Sequence, residues 1–311
     1  MEQPCVWARA RVVSRLHAIS HSWQMCTYNR SSDVWISRRI QQHGCFECDG
    51  VLRMLGALRS AADATLAQPV RRKRTTDCEI DRTGSGPMII DVGANIGMYS
   101  LAAAAACFEA VAFEPVPQNA LRVLISARRN AFDSRRLRLF IVGASDGFGT
   151  AAMGESDSNQ GAVAHKPTAL AIDEASASAA AAAAHIALAP LDAVLPADVL
   201  QGARPIFLKM DVEGAECRAL RGLRRWLSNG NGTRIVGALI ETGQLATREC
   251  CSELVSPHGA FHVLRWRHHL CARDLANDDA LVPIDETLCT RSVTAREPAR
   301  RWPWELLFNA C

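Results

Sequence analysis

Asp91, Gly93, Asn95 and Gly97 stand at alternate positions in MIIDVGANIGMYSL, residues 88–101. The stretch opens as an apolar, β-branched run suited to a buried strand, and its glycines begin where polar side chains appear. A chain that leaves a strand and enters a helix at once needs glycine where side chains would collide, and its backbone can then approach a ligand. A dinucleotide fingerprint, G-x-G-x-x-G, would place its second glycine where Asn95 stands, leaving bare backbone for a pyrophosphate. Asp91 and Asn95 instead offer a carboxylate and an amide, groups suited to the ammonium and carboxylate of an amino-acid-like ligand. Glu114 lies about 20 residues downstream of the turn, at the end of a second strand, where such folds place an acid that accepts hydrogen bonds from ribose hydroxyls. An amino-acid end and a ribose together describe S-adenosylmethionine better than NAD.

A second acidic group lies in KMDVEGAE, residues 209–216. Asp211 ends a predicted strand, and in an open α/β sheet the ligand crevice lies at such ends. Residues at i and i+2 of an extended chain point to the same side, so Glu213 can act with it. Asp211 is therefore the candidate general base for a hydroxyl acceptor, with Glu213 assisting. Glu216 reads first as an acid stabilised by the positive end of the next helix. Lys209 is either an inward partner that holds a carboxylate ionised or a snorkelling surface lysine. Glu241, at a further strand end, either binds substrate or accepts a backbone hydrogen bond. No metal is required by this scheme.

The elements that must position these groups alternate. Predicted strands cover 88–92, 110–113, 137–142, 206–211 and 235–241, and predicted helices 99–106, 118–130 and 215–227, a βαβ pattern on a mostly parallel sheet. A helix near 245–255 and a strand near 261–265 would extend it. Residues 1–85 carry mixed helical signals and end in the polar RRKRTTDCEIDRTGSG, so they read as an N-terminal extension packing on or leading into a main domain over 86–311. The stretch 151–205, with its alanine and serine core, reads as a low-complexity insertion.

The bulk of the chain fits one large domain. Its 311 residues are 49% hydrophobic and 22% charged, enough to bury a full core. A net charge of +3 gives no footing for nucleic acid, and the cluster Arg71, Arg72, Lys73, Arg74 reads as a solvated linker. The long alanine run has little to gain from lipid and is no membrane span. No early apolar segment marks a secretory signal, which makes a cytoplasmic location and reduced, packed thiols the default for the 12 cysteines, including the C-x-x-C pair Cys45 and Cys48. An Arg- and Ser-rich N-terminus leaves organellar targeting open. Oligomeric state is not legible.

In order, IIDVGANIGMYSL, VAFEPVPQN, VGASDGFG, PLDAVL, FLKMDVEGAECRALRG and ALIET resemble the FkbM-type methyltransferases over about residues 88–241. The resemblance implies an α/β, class I methyltransferase, Rossmann-like fold: a seven-stranded, mostly parallel sheet with one antiparallel strand and helices on both faces. It implies S-adenosylmethionine as cofactor and O-methylation of a small hydroxylated acceptor, often a sugar or polyol. By the same resemblance Asp91, Gly93, Asn95, Gly97 and Glu114 map onto cofactor-binding positions, and Asp146 onto the loop beside the adenine. AACFEAVAF lacks the glycine usual before the second strand, and the alanine-rich stretch lies where relatives build substrate contacts. Two other readings stand beside it: a non-catalytic cofactor-binding or interaction protein, and an NAD(P)-linked oxidoreductase using the same turn.

Overall fold

The computed structural model describes residues 4–14, 19–65, 85–152, 185–201, 204–228, 234–240, 262–263 and 282–283. At its centre are β3 (Met88–Val92), β4 (Glu109–Phe113), β5 (Leu137–Phe140), β9 (Pro205–Met210) and β10 (Arg234–Ile240). With β11 (His262–Val263) and β12 (Val282–Pro283) they form a seven-stranded sheet of order β12-β11-β10-β9-β3-β4-β5. All neighbours run parallel except β11 and β12. The expected fold class is therefore present, a mostly parallel α/β sheet with its one antiparallel strand at an edge.

Both faces of the sheet are covered, which is why its strands lack hydrophobic alternation. On one face Ile89, Ala110, Ala112 and Phe207 join the core of the N-terminal elements. On the other, Met88, Ile90, Val92, Val111, Phe113 and Leu208 meet Leu191, Leu220 and Trp226. Chain order reverses at β3: β4 and β5 lie on one side of it, β9 and β10 on the other. Such a switch point opens a crevice at the carboxyl ends of the strands.

Residues 4–14 and 19–65 pack against that sheet and its helices. Strands β1 (Val6–Ser14) and β2 (Ile19–Thr27) form an antiparallel hairpin whose Ala8, Ala10 and Val12 alternate inward. Helix α1 (Ile36–His43) follows, its first N–H groups satisfied by Asp33, and ends at Gly44 with φ 76°. Helix α2 (Cys48–Thr65) presents Val51, Met54, Leu55, Leu58 and Ala62 at helical spacing and lies against β9 and β10. Helix α3 (Met98–Ala105) packs on β2, and α4 (Pro117–Arg129) bonds to it: Cys26 N–H donates to Ser126 Oγ at 2.8 Å, and Tyr28 Oη, just past the strand, to Asn119 Oδ1 at 2.7 Å. The expected reduced thiols are not what the structure has. Cys5 is joined to Cys26 across the hairpin and Cys45 to Cys48, with Cα atoms 5.0 and 5.6 Å apart, because strand pairing and a tight turn bring them together.

After β5 the chain forms a small second sheet. Strand β6 (Gly143–Ala144) pairs in parallel with β8 (His185–Ala189), and β7 (Gly149–Ala152) pairs antiparallel with it. Residues 153–184, the middle of the expected insertion, lie outside the described residues, but its C-terminal part is regular structure. Short helices α5 (Leu191–Val194) and α6 (Ala197–Leu200) bury Leu191 and Val199 on the way to β9. The single helix expected over 215–227 is two, α7 (Glu216–Arg221) and α8 (Arg224–Ser228). They part beside Gly222, where a Cβ would overlap the carbonyl oxygen of Ser145. Among the described residues no helix is long and apolar enough to cross a membrane.

Candidate functional site

The glycine turn leaves β3 with three residues in the left-handed region: Gly93 at φ 78°, Asn95 at 53° and Gly97 at 88°. Gly93 and Ala94 both donate their N–H to the carbonyl of Phe113, tying the turn to the end of β4. A Cβ on Gly93 would overlap the Asp211 carbonyl oxygen, and one on Gly97 would stand 3.0 Å from Val123 Cγ2. The glycines thus answer to close packing against the end of β9 and against α4, the collision of side chains that the sequence reading expected at such a turn. Gly93→Ala should therefore cost about 2 to 3 kcal/mol, combining overpacking with a strained φ. A thermal melt within 2 °C of wild type would refute that role.

Asn95 and Glu114 are joined. The Asn95 N–H donates to Glu114 Oε2 at 2.7 Å, while Oε1 accepts from Val116 N–H at 2.9 Å and Asn119 Nδ2 at 3.3 Å. Glu114 is almost fully buried. Burial pushes its carboxyl up to about 7, against the opposing pull of the Val116, Asn95 and Asn119 hydrogen bonds. A group poised there changes charge near neutrality whenever a neighbour adds or removes a donor.

Lys209 is buried at the centre of the carboxylates, not snorkelling. Its Nζ donates to the Gly93 carbonyl at 2.7 Å and faces Asp91 Oδ1 at 3.8 Å and Asp211 Oδ2 at 3.6 Å. Burial works to lower its pKa, but Asp211, Asp91 and Glu47 outweigh it and hold the ammonium charged. Asp91 sits beneath the turn, fully buried, with Oδ2 accepting from the Ser100 N–H at 3.1 Å and from the Ser100 hydroxyl. Its carboxyl is raised by burial, which Lys209 and Ser100 only partly offset.

Asp211 follows β9, its N–H bonded to the Val92 carbonyl at 3.0 Å, so the strand pairing itself sets it beside the turn. Glu213, at φ 54°, has its carboxyl raised by burial and then by Asp211 and Glu216. Glu216 is buried and accepts from Val212 N–H at 3.0 Å and Gly214 N–H at 3.2 Å, so it clamps the loop between β9 and α7.

Residues 91–266, more than half of the chain, match the methyltransferase FkbM domain. The chain belongs to the FkbM methyltransferase family. Membership supports a methyltransferase reading over the oxidoreductase one. The chain is also similar to the crystal structure of methyltransferase FkbM from Methylobacillus flagellatus KT, at 18% identity and a TM-score of 0.33, over 63% of this chain and 45% of that one. It thus spans less than half the length of that solved structure. No curated protein matches it.

In this FkbM-family chain the turn, Glu114, Lys209 and Asp211 converge at the switch point, whereas Asp146 is engaged elsewhere. Its exposed carboxylate pairs with Arg218 Nε at 3.0 Å and Arg221 at 3.4 Å; slight burial pulls the other way, but the Arg218 hydrogen bond and charge hold it below the usual range. Glu241 lies outside the described residues. Two residues to which the sequence reading gave no role join the cluster. Tyr99 Oη, in the first turn of α3, donates at 3.0 Å to Glu47 Oε2, just before α2. Tyr99 is a member of the quoted motif and so could have been noticed; nothing in the sequence ties Glu47 to it.

Proposed function

We propose that this family member binds S-adenosylmethionine at the carboxyl ends of β3, β4 and β9 and transfers its methyl to a hydroxyl of a small sugar, polyol or similar acceptor. One observation carries the reading: the Asn95 N–H to Glu114 Oε2 bond, which fixes the left-handed turn and the buried acid as one unit beside Asp211. Glu114 would accept the ribose hydroxyls, and the turn through Gly93, Asn95 and Gly97 would hold the amino-acid end. Asp91 would act from beneath, through Lys209 and the Gly93 carbonyl. Asp146, with its arginine partners, would border the adenine. The donor set fits the group, because a carboxylate bound by three protein donors keeps one of its roughly four lone pairs for a ribose hydroxyl.

The bound cofactor supplies a methyl on a sulfonium, already a good leaving group. What remains for the protein is proximity, alignment and proton removal. Asp211 Oδ1 accepts no hydrogen bond from the described residues, while Lys209 stands beside Oδ2. Asp211 would take the acceptor's proton as the new oxygen–carbon bond forms, with Glu213 assisting.

Calorimetric titration with S-adenosylhomocysteine tests the site. Saturable binding is expected, and Glu114→Ala should weaken it by about 1 to 3 kcal/mol. A pH series adds a sign. Ribose hydroxyl donors favour ionised Glu114, whose carboxyl sits at about 7. Affinity should therefore rise with pH through that value and fall below it, by at most about tenfold per pH unit. Undetectable binding to the wild type, or a flat profile with native affinity in Glu114→Ala, would sink the reading.

A further inference from the structure

We infer that Glu47 lines the acceptor side of this site, so that the segment preceding the family-matched region supplies a third carboxyl group, beside Asp211 and Glu213, where the methyl is handed over. The inference rests on the S-adenosylmethionine reading and narrows the acceptor to an uncharged or cationic hydroxyl compound, excluding phosphorylated and carboxylated ones.

Glu47 does not reach the site by chance of a loose loop. It lies between Cys45 and Cys48, which are joined, and holds φ 50°, a left-handed conformation that costs a residue with a side chain free energy. Helix α2 begins one residue later, and Gly50 in its first turn packs so closely on Tyr99 that a Cβ would overlap the phenol oxygen. Tyr99 Oη then orients Glu47 through the 3.0 Å bond to Oε2. Oε1 accepts nothing from the described residues. Burial raises the Glu47 carboxyl, Lys209 pulls it back down and Asp211 and Asp91 push it up, and Glu47 in turn acts on Glu213.

A separate observation points to a ligand at this place. Asp91 is fully buried and its Oδ1 makes no hydrogen bond, yet it faces Lys209 Nζ, which stands 3.8 Å from it and 3.6 Å from Asp211. A buried ammonium with three donors and one hydrogen bond, to Gly93, leaves donors aimed between those two acids. Lys209 is shared by Asp91 and Asp211 and also acts on Glu47 and Glu213; burial raises both of these carboxyls, so they ionise most readily when a positive group stands beside them. Positive charge at the transferred methyl is favoured there, and an anionic acceptor would add like charge to the cluster.

Sinefungin reads this field without an acceptor in hand, because it has a carbon in place of the sulfonium sulfur and, on it, an ammonium in place of the methyl. Calorimetry should show wild-type protein preferring sinefungin to S-adenosylhomocysteine. Glu47→Gln keeps an oxygen for the Tyr99 hydroxyl and removes the charge. It should cut that preference about 5- to 50-fold, the range a partly screened charge gives, while changing S-adenosylhomocysteine affinity less than about twofold. Tyr99→Phe, which releases Glu47 from its orienting bond, should cut it by a smaller factor and carries the test if Glu47→Gln does not fold. An unchanged preference in the folded variants would overturn the inference and leave the cofactor site standing. Equal losses for both ligands would overturn it too, making Glu47 a support of the turn. Binding of neither ligand to wild type would overturn the cofactor reading and this inference with it.

Discussion

Asp211→Asn should lower methyl transfer roughly 10²- to 10⁴-fold and leave S-adenosylhomocysteine affinity nearly unchanged, because the amide keeps the shape of the acid and loses its capacity to take a proton. The position favours this outcome. The backbone N–H of Asp211 is fixed by the Val92 carbonyl, and its side chain is partly exposed beside Lys209. Single-turnover rates with a neutral polyol acceptor, set against the affinity, separate the alternatives. Unchanged turnover with native folding would hand proton removal to Glu213 or to water. A matching loss of affinity would make Asp211 a cofactor ligand. Glu216→Gln is the control. Its remaining oxygen can still accept the Val212 and Gly214 N–H groups, so the expected cost is about 1 kcal/mol of stability and little rate.

Lys209→Met should cost about 3 to 5 kcal/mol, since it removes one partner of a buried pair and leaves Asp91 uncompensated. It also deletes the bond to the Gly93 carbonyl, so the turn loses its anchor. The sign of the pH dependence follows. Burial already raises the Asp91 carboxyl above its unfolded value, and without Lys209 it rises further. A group with a raised folded pKa binds its proton more tightly in the folded state, so the loss should be smallest in acid and grow as pH rises through that pKa. Urea melts at about pH 5 and pH 8 read both points. Adding Asp91→Asn should recover part of the loss at the higher pH. A loss below about 1 kcal/mol, or one independent of pH, would mean that the ion pair is not what holds the turn.

Asp211 and Asp91 also show how far one chain can be read without its neighbours. Strand β3, the glycine turn and α3 were legible because each rests on residues a few positions apart: an unalternating apolar run, glycines where φ turns positive, then a helical segment. Glu114 was legible for the same reason, as the acid that ends the next strand. Glu216 stands in the first turn of α7, as its reading as a helix-dipole acid expected, and it also accepts from the N–H groups of Val212 and Gly214, a local loop clamp that spacing alone does not reveal.

By itself the sequence determined the βαβ pattern, the strand ends at which acids gather, and, through ordered motifs, the FkbM family; local sterics and hydrogen bonding act over short spans, so they leave their mark in neighbouring residue types. Tertiary structure alone decided what those acids touch. That Gly93 must lack a side chain because the Asp211 carbonyl lies against it depends on β9 pairing with β3, a pairing between segments more than a hundred residues apart. That Lys209 faces inward depends on both sheet faces being covered, and that Glu47 meets Tyr99, 52 residues on, depends on where α2 packs. Contacts of this kind are set by sheet order and layer packing, which are properties of the whole chain's buried surface and are written in no single stretch of it.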